Sequence, residues 1–162
     1  MTLETAIHLR QQGELTRAQE ILEQMLETTP EDPLVHFHLA TTCIGQGDDR
    51  TAMDHYKAAI DAGLPSEEDG QAVLAYAALL RSQRKYLRAA WFLLESLSRR
   101  PHDDGIRVFL ALTQHKLGMH TEAVQSLVRI LISTSDSPRL KELSPMLSFY
   151  AGDIRFQPYS SS

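Results

Sequence analysis

The sequence predicts an all-α protein built from four repeated helical hairpins. Two series of small residues carry this prediction. The first series is Ala6, Ala40, Ala77 and Ala111, and the second is Ala18, Ala52, Ala89 and Ala123. Both advance by the same steps of 34, 37 and 34 residues. A fixed period of this length is typical of stacked supersecondary units, so we expect one helical pair per period, with the alanines where its two helices cross.

A tight turn is expected between the two helices of each pair. Gly13, Gly47 and Gly118 occupy the turn in three repeats, and Arg84 occupies it in the remaining one. Glycine adopts the left-handed conformation that ends many helices at little steric cost. After Gly47, either Asp48 or Asp49 can cap the helix that follows, because a carboxylate accepts a hydrogen bond from the first free backbone amides.

Eight helices follow from this pattern, and a ninth is expected to begin at Ser137-Pro138. The eight are Thr2–Gln12, Leu15–Thr28, Pro33–Gln46, Asp49–Ala62, Glu67–Gln83, Tyr86–Arg99, Asp103–Leu117 and His120–Ile132. The repeats span about 1–32, 33–65, 66–101 and 102–135. The ninth helix, within 136–155, is expected to cover the open end of the fourth repeat. Pro145 cannot donate its backbone hydrogen bond, which predicts a kink or break near Leu143 and Ser144. Residues 156–162 are predicted to form a flexible tail.

Composition limits the classes of function. Sixteen basic and 21 acidic residues give a formal net charge of −5, which argues against general binding of nucleic acid or membrane surfaces. The longest apolar run, Ala72 to Leu80, is shorter than the roughly 20 residues a spanning helix needs. Glu4 lies where a signal peptide would be basic. The single cysteine, Cys43, suits a reducing compartment. We therefore expect a cytoplasmic protein.

The repeats resemble the tetratricopeptide repeat, a 34-residue helix–turn–helix with small residues at the crossing and a closing proline. The closing positions are Pro30, Pro65 and Pro101. The resemblance covers roughly Thr2 to Ser135. The tryptophan that often opens the motif is absent, Arg84 replaces a glycine, and the third repeat has three extra residues near Leu64 to Gly70. The resemblance implies a right-handed superhelical solenoid with a C-terminal capping helix.

Within that family, the chain is similar to small bacterial single-domain members. This similarity lies in the opening LETAIHLR, Leu3 to Arg10, and in the closing FYAGD, Phe149 to Asp153. The resemblance implies a non-enzymatic scaffold that binds a protein or peptide partner.

Motifs for catalysis, metals and cofactors are missing from the sequence. The eight glycines are scattered rather than grouped in a phosphate-binding loop, and one cysteine cannot supply a zinc-binding pair. His36 and His38 are two residues apart on a predicted helix and so point about 200° apart. His115 and His120 flank a turn. We predict no enzyme activity, no cofactor and no metal.

The first helix of each repeat carries a stripe that the alanine crossing does not need. The predicted groove residues are Leu3, Ile7, Arg10, Phe37, Thr41, Leu74, Arg81, Val108, Leu112, His115 and Lys116. The resemblance implies that this stripe lines a concave face that binds an extended peptide or a partner helix, although its aliphatic members can also simply pack between helices. The basic members favour a peptide that carries carboxylates. The chain contains no asparagine, so it lacks the clamp of asparagine and lysine with which related domains hold chaperone C-termini.

The sixth predicted helix is apolar around more than a full turn, at Ala89 to Leu94. Trp91 and Phe92 replace pairs that contain polar residues in the other repeats. Those pairs are Glu20 with Ile21, Asp54 with His55, and Gln125 with Ser126. Because the outer helices of a solenoid have one solvated face, something is expected to cover Trp91. The cover is either local, from the insertion near Pro65 or the tail with Phe156 and Tyr159, or a second copy of the chain. The second option makes the protein a self-associating structural module that dimerises through Trp91 and Phe92.

Overall fold

A computed structural model describes residues 2–153, which form nine α-helices and no strand. The helices are α1 (Leu3–Gln11), α2 (Leu15–Thr28), α3 (Pro33–Gln46), α4 (Asp49–Ala62), α5 (Ser66–Ser82), α6 (Tyr86–Arg99), α7 (Asp104–Lys116), α8 (His120–Thr134) and α9 (Pro138–Asp153). The all-α prediction is confirmed. The eight predicted helices differ from the observed ones by at most two residues at either end.

Aspartates that precede helices satisfy backbone amides that have no partner within the helix. The Oδ1 atom of Asp32 accepts hydrogen bonds from the amides of Leu34 and Val35, at 3.0 and 3.2 Å. Asp48, rather than Asp49, caps α4 by accepting from the Thr51 amide at 3.1 Å. Such caps stabilise a helix by about 1 kcal/mol, and they fix where each first turn begins.

All four predicted turns are left-handed. Gly13, Gly47 and Gly118 have φ angles of 85, 79 and 81°. Arg84 has a φ of 59° and is the one residue other than glycine with a positive φ in the described range. Its amide donates to the Arg81 carbonyl at 2.9 Å, matching the bond from Gly47 to the Ile44 carbonyl. Arg84 therefore adopts the same left-handed turn, although its Cβ makes this conformation sterically unfavourable.

The chain divides within α5 into two compact units, one up to Leu79 and one from Leu80 onward. In the first unit, α1 packs on α2, α2 on α3, and α3 on α4. In the second unit, α6 packs on α7, α7 on α8, and α8 on α9. Each unit thus builds its core from neighbouring helices along the chain.

The alanines of both predicted series are buried. Each is at most 2% exposed. A methyl group at these positions lets two helix backbones approach closely, so a bulkier side chain would force the helices apart. The large residues four positions after the second series complete the core, and of these Leu22, Tyr56 and Leu93 are at most 4% exposed.

The ninth helix continues through Pro145, so the segment is not broken at Leu143 and Ser144. A kink there stays a prediction. Leu131 remains 47% exposed although α9 packs on α8, so the cap does not cover that side chain. The predicted tail, with Phe156 and Tyr159, lies outside the described residues. Within the described range, every helix is too short or too polar to cross a lipid bilayer.

Candidate functional site

A cleft of about 410 Å³ lies in the first unit. It is lined by Arg10, Phe37, His38, Thr41, Tyr56, Glu68, Gln71 and Ala75. Arg10 lies in the last turn of α1, and α3, α4 and α5 supply the other side chains. Three of the predicted groove residues, Arg10, Phe37 and Thr41, are therefore brought together here.

The floor of the cleft is aromatic and internally bonded. The Thr41 hydroxyl donates to the Phe37 carbonyl at 2.9 Å, and its oxygen lies 3.2 Å from the Tyr56 hydroxyl. Because the Thr41 proton is used on the carbonyl, the Tyr56 hydroxyl donates to Thr41. The Phe37 and Tyr56 rings meet edge to face, with centroids 6.1 Å apart. Burial raises the pKa of Tyr56, so its hydroxyl is protonated and the floor is uncharged.

Two buried polar atoms at the cleft have no hydrogen-bond partner among the described residues. They are Nε of Arg10 and Nδ1 of His38. Burial lowers the pKa of His38, the positive charge of Arg10 lowers it further, and the carboxylate of Glu68 opposes both effects. Native structures pair nearly all buried polar groups. Both atoms are closed off from solvent, so they lie behind the lining of the cleft rather than on its open surface.

Two side chains of opposite charge, Arg10 and Glu68, line the cleft. In the described part of the chain, none of the ion pairs involves Arg10 or Glu68. Leu3, Ile7 and Leu74 are half-buried and lie outside the cleft lining. The cleft thus offers a cation, a carboxylate and a largely uncharged imidazole around an apolar floor.

Arg81, predicted as a basic edge of the groove, is engaged inside the second unit. Its Nη1 donates to the Thr113 hydroxyl at 2.8 Å. Its guanidinium carbon lies 5.0 Å from the Phe109 ring centroid and 5.9 Å from that of Tyr86. The Thr113 hydroxyl in turn donates to the Phe109 carbonyl at 2.8 Å. This guanidinium ties α5, α6 and α7 together.

The remaining predicted groove residues lie on α7. Val108 is half-buried, while Leu112, His115 and Lys116 are exposed. The Nδ1 atoms of His115 and His120 are 2.9 Å apart, so one ring donates to the other. That hydrogen bond occupies the side of the His115 ring that carries Nδ1.

A second histidine pair was not predicted. The Nδ1 atoms of His36 and His55 are also 2.9 Å apart, and Nε2 of His36 donates to the Pro30 carbonyl at 2.9 Å. His36 therefore accepts from His55 when both rings are neutral. Burial and the neighbouring His36 lower the pKa of His55. Residues 2–153 contain no group of three or more side chains placed to hold a metal ion.

Trp91 and Phe92 differ in exposure. Trp91 is 68% exposed, whereas Phe92 is half-buried in α6. Trp91 therefore supplies most of the exposed surface of the pair. Phe92 faces inward like Ile21 in the equivalent position, and Trp91 lies on the solvated face with Glu20 and Asp54 as its equivalents.

Sequence reasoning missed five lining residues of the cleft, His38, Tyr56, Glu68, Gln71 and Ala75. A signal for part of this set was present on α5. Glu68, Gln71 and Ala75 recur at intervals of three and four residues, which places them on one helix face. The two polar members, Glu68 and Gln71, precede the apolar run Ala72 to Leu80, and Ala75 lies within it.

The comparisons with known proteins agree with this architecture. A family model described as Tetratrico peptide repeat matches residues 33–140, about two thirds of the chain. No curated protein matches the sequence. The structure of YrrB, described as a TPR protein with an unusual peptide-binding site, is 15% identical with a TM-score of 0.62, over 94% of this chain and 90% of that one. The structure of PilF from Pseudomonas aeruginosa is 18% identical with a TM-score of 0.66, over 99% of this chain and 76% of that one.

Both likenesses concern the fold, a helical solenoid of repeats, and the repeat pattern of the sequence agrees with the family model. The chain belongs to the tetratricopeptide repeat family.

Proposed function

We propose that this protein is a non-enzymatic protein–protein interaction scaffold that binds an acidic peptide segment in the cleft of its first unit. The observation that carries the proposal is a cleft lined by the apolar Phe37 and by Arg10, which belongs to no ion pair among the described residues. A ligand carboxylate in the cleft can supply the counter-charge that Arg10 lacks.

A peptide carboxylate suits Arg10 best. Guanidinium and carboxylate groups form short, charge-assisted hydrogen bonds, and Arg10 has no ion pair within the described residues that competes. An apolar side chain next to that carboxylate can pack on Phe37. Glu68 repels a second carboxylate and can accept a peptide N–H instead. The cleft therefore favours a segment with one acidic residue among apolar ones.

The rest of the predicted groove extends this proposal. Leu3, Ile7 and Leu74 would contact the flanks of the peptide in the first unit. Val108, Leu112, His115 and Lys116 would form a contact surface of the second unit by themselves. A cytoplasmic location is part of the same proposal. The peptide-binding site named for YrrB supports this mode of binding for the repeat architecture.

An array of synthetic ten-residue peptides tests the proposal. Each peptide carries one aspartate or glutamate among apolar residues, and a matched peptide carries asparagine or glutamine instead. We expect the carboxylate peptides to bind, to lose affinity as salt rises, and to lose it on Arg10→Gln. Arg17→Gln is the control, because Arg17 is an exposed arginine of the same unit that pairs with Glu14. Equal binding of the amide peptides would contradict the proposal.

A second candidate function is self-association through Trp91. The exposure of this tryptophan, at a position that holds Glu20 and Asp54 in the first two repeats, favours it. An exposed indole of this size is costly in water, and tryptophans are common anchors of interfaces. Light scattering of the wild-type protein and of Trp91→Ala across a concentration series tests whether a dimer forms.

A further inference from the structure

The exposed apolar surface of α6 forms a stripe with charges on one side only. Leu87, Trp91 and Leu94 are 62, 68 and 48% exposed. On an α-helix with Trp91 at the centre, Leu87 and Leu94 lie about 40° and 60° to one side. Arg88 and Glu95 lie about 60° and 40° to the other side. The stripe therefore has a leucine flank and a charged flank.

Both charged residues are available for a partner. Arg88 and Glu95 are exposed, and neither takes part in an ion pair among residues 2–153. They are seven residues apart, about 10 Å along the helix, so they cannot pair with each other. Each lacks a counter-charge that a second molecule can supply.

We infer that two copies of this chain associate through α6 in an antiparallel, two-fold arrangement centred on Trp91. The inference rests on the second candidate function and adds the partner and its register. In a two-fold contact of antiparallel helices, each flank faces its own copy in reversed order. Leu87 then packs on Leu94 of the other copy, and Arg88 pairs with Glu95 of the other copy. The contact contains two leucine pairs, two ion pairs and a central pair of tryptophans.

A parallel arrangement does not satisfy these groups. A two-fold axis along the helices would place the charged flank of one copy against the leucine flank of the other. Arg88 and Glu95 would then lose water without gaining a counter-charge, which is costly at an interface. Charge complementarity therefore selects the antiparallel register. Phe92 has no part in the contact because it is half-buried.

Another exposed apolar surface lies in the same unit, on α9. Met146, Phe149 and Tyr150 are 49, 66 and 59% exposed. This surface has no comparable set of opposite charges around it: among exposed charged residues of α9, Arg139 and Glu142 already pair with each other, and Lys141 pairs with Asp136. It serves as the matched control for the stripe on α6.

Sedimentation equilibrium of the full chain over a wide concentration range tests the inference. We expect a concentration-dependent dimer, and a rise in the dimer Kd of roughly thirtyfold on Trp91→Ala, the size expected for an interface anchor. Phe149→Ala is expected to leave the Kd unchanged. Arg88→Glu and Glu95→Arg should each weaken the dimer, and the double variant Arg88→Glu with Glu95→Arg should restore it. Circular dichroism checks that each variant keeps its helicity.

The outcomes separate the register from self-association itself. A wild-type protein that stays monomeric overturns both. A dimer that Trp91→Ala weakens, but that the charge-swapped double variant fails to restore, overturns the antiparallel register and leaves self-association standing. If Phe149→Ala abolishes the dimer and Trp91→Ala does not, the dimer does not form through α6 and the inference is wrong.

Discussion

Arg10 and Arg81 occupy the same position in the first and third repeats, yet their surroundings differ. Arg81 donates to Thr113 and lies against two aromatic rings. Arg10 has a buried Nε with no partner and faces an open cleft. The same residue type in the same register thus stabilises one unit and is left unsatisfied in the other.

The neighbours explain the difference. Phe109 and Tyr86 are 71 residues after His38 and Leu15, the step that separates Arg81 from Arg10. The first unit therefore has an imidazole and an aliphatic side chain where the second has two aromatic rings. The threonines correspond as well, because Thr42 and Thr113 donate to the carbonyl of His38 and of Phe109, each at 2.8 Å. The arginine and the threonine are thus kept in both units, and the two ring positions are what differs.

The prediction with the largest expected effect tests whether the helix crossings of the two units are packed equally tightly. Ala52 and Ala89 hold the same position at a helix crossing, and both are fully buried. We expect Ala52→Leu and Ala89→Leu each to lower the free energy of unfolding by about 1–3 kcal/mol, because the three added carbons have no space. Thermal or urea unfolding measures this. Tolerance of leucine at one site only would show that the units differ in their packing as well as in their arginines.

The second prediction compares how much each arginine contributes to the free energy of unfolding. Arg81→Gln should lower the free energy of unfolding by roughly 1–2 kcal/mol, since it removes a charged hydrogen bond and two ring contacts. Arg10→Gln should change it by no more than about 0.5 kcal/mol, as expected where few interactions are lost. Urea unfolding monitored by circular dichroism compares them. Equal losses would remove the distinction between the two sites.

The sequence predicted more of the fold than of the candidate site. The alanine series indicated the crossings because each crossing tolerates one side-chain size. The role of Arg81 was not predictable, because it depends on Thr113 and Phe109, 32 and 28 residues away in sequence. The cleft was partly predicted through Arg10, Phe37 and Thr41. His38 was missed because it lies one position beside the predicted stripe, and its burial comes from packing.

The third prediction concerns a variant in which the surroundings of Arg10 are changed to match those of Arg81. The double variant Leu15→Tyr with His38→Phe places aromatic residues at the positions of Tyr86 and Phe109. We expect it to stabilise the protein by roughly 0.5–1 kcal/mol through new cation–π contacts to Arg10. It should also weaken binding of the carboxylate peptides, since the guanidinium is then engaged. A variant that binds as well as the wild type would show that the ring positions do not control Arg10.

The smallest expected effect is a pH dependence of the first unit. Burial and Arg10 lower the pKa of His38 below its ordinary value of 6.5. The unfolded chain therefore binds a proton first as the pH falls, so this contribution to stability is complete above about pH 6.5 and is lost as the pH drops through the lowered pKa of the folded state. His55 adds an effect of the same sign.

Urea unfolding between pH 7.5 and pH 5 measures this dependence. His38→Gln should flatten the decline without removing it, because His55 still titrates. His102→Gln, at an exposed position of the second unit, is the control and should leave the decline unchanged. An identical decline in His38→Gln and the wild type would mean that His38 is not the group responsible.

The central claim is that Arg10 binds the partner while Arg81 holds the fold. Fluorescence anisotropy with the tightest carboxylate peptide from the array, titrated with the wild type, Arg10→Gln and Arg81→Gln below their melting temperatures, tests it most directly. We predict that Arg10→Gln raises the peptide Kd at least about tenfold, because one charged hydrogen bond is lost. Arg81→Gln should leave the Kd within about twofold of the wild-type value. Binding that survives Arg10→Gln and is lost in a folded Arg81→Gln would contradict the account.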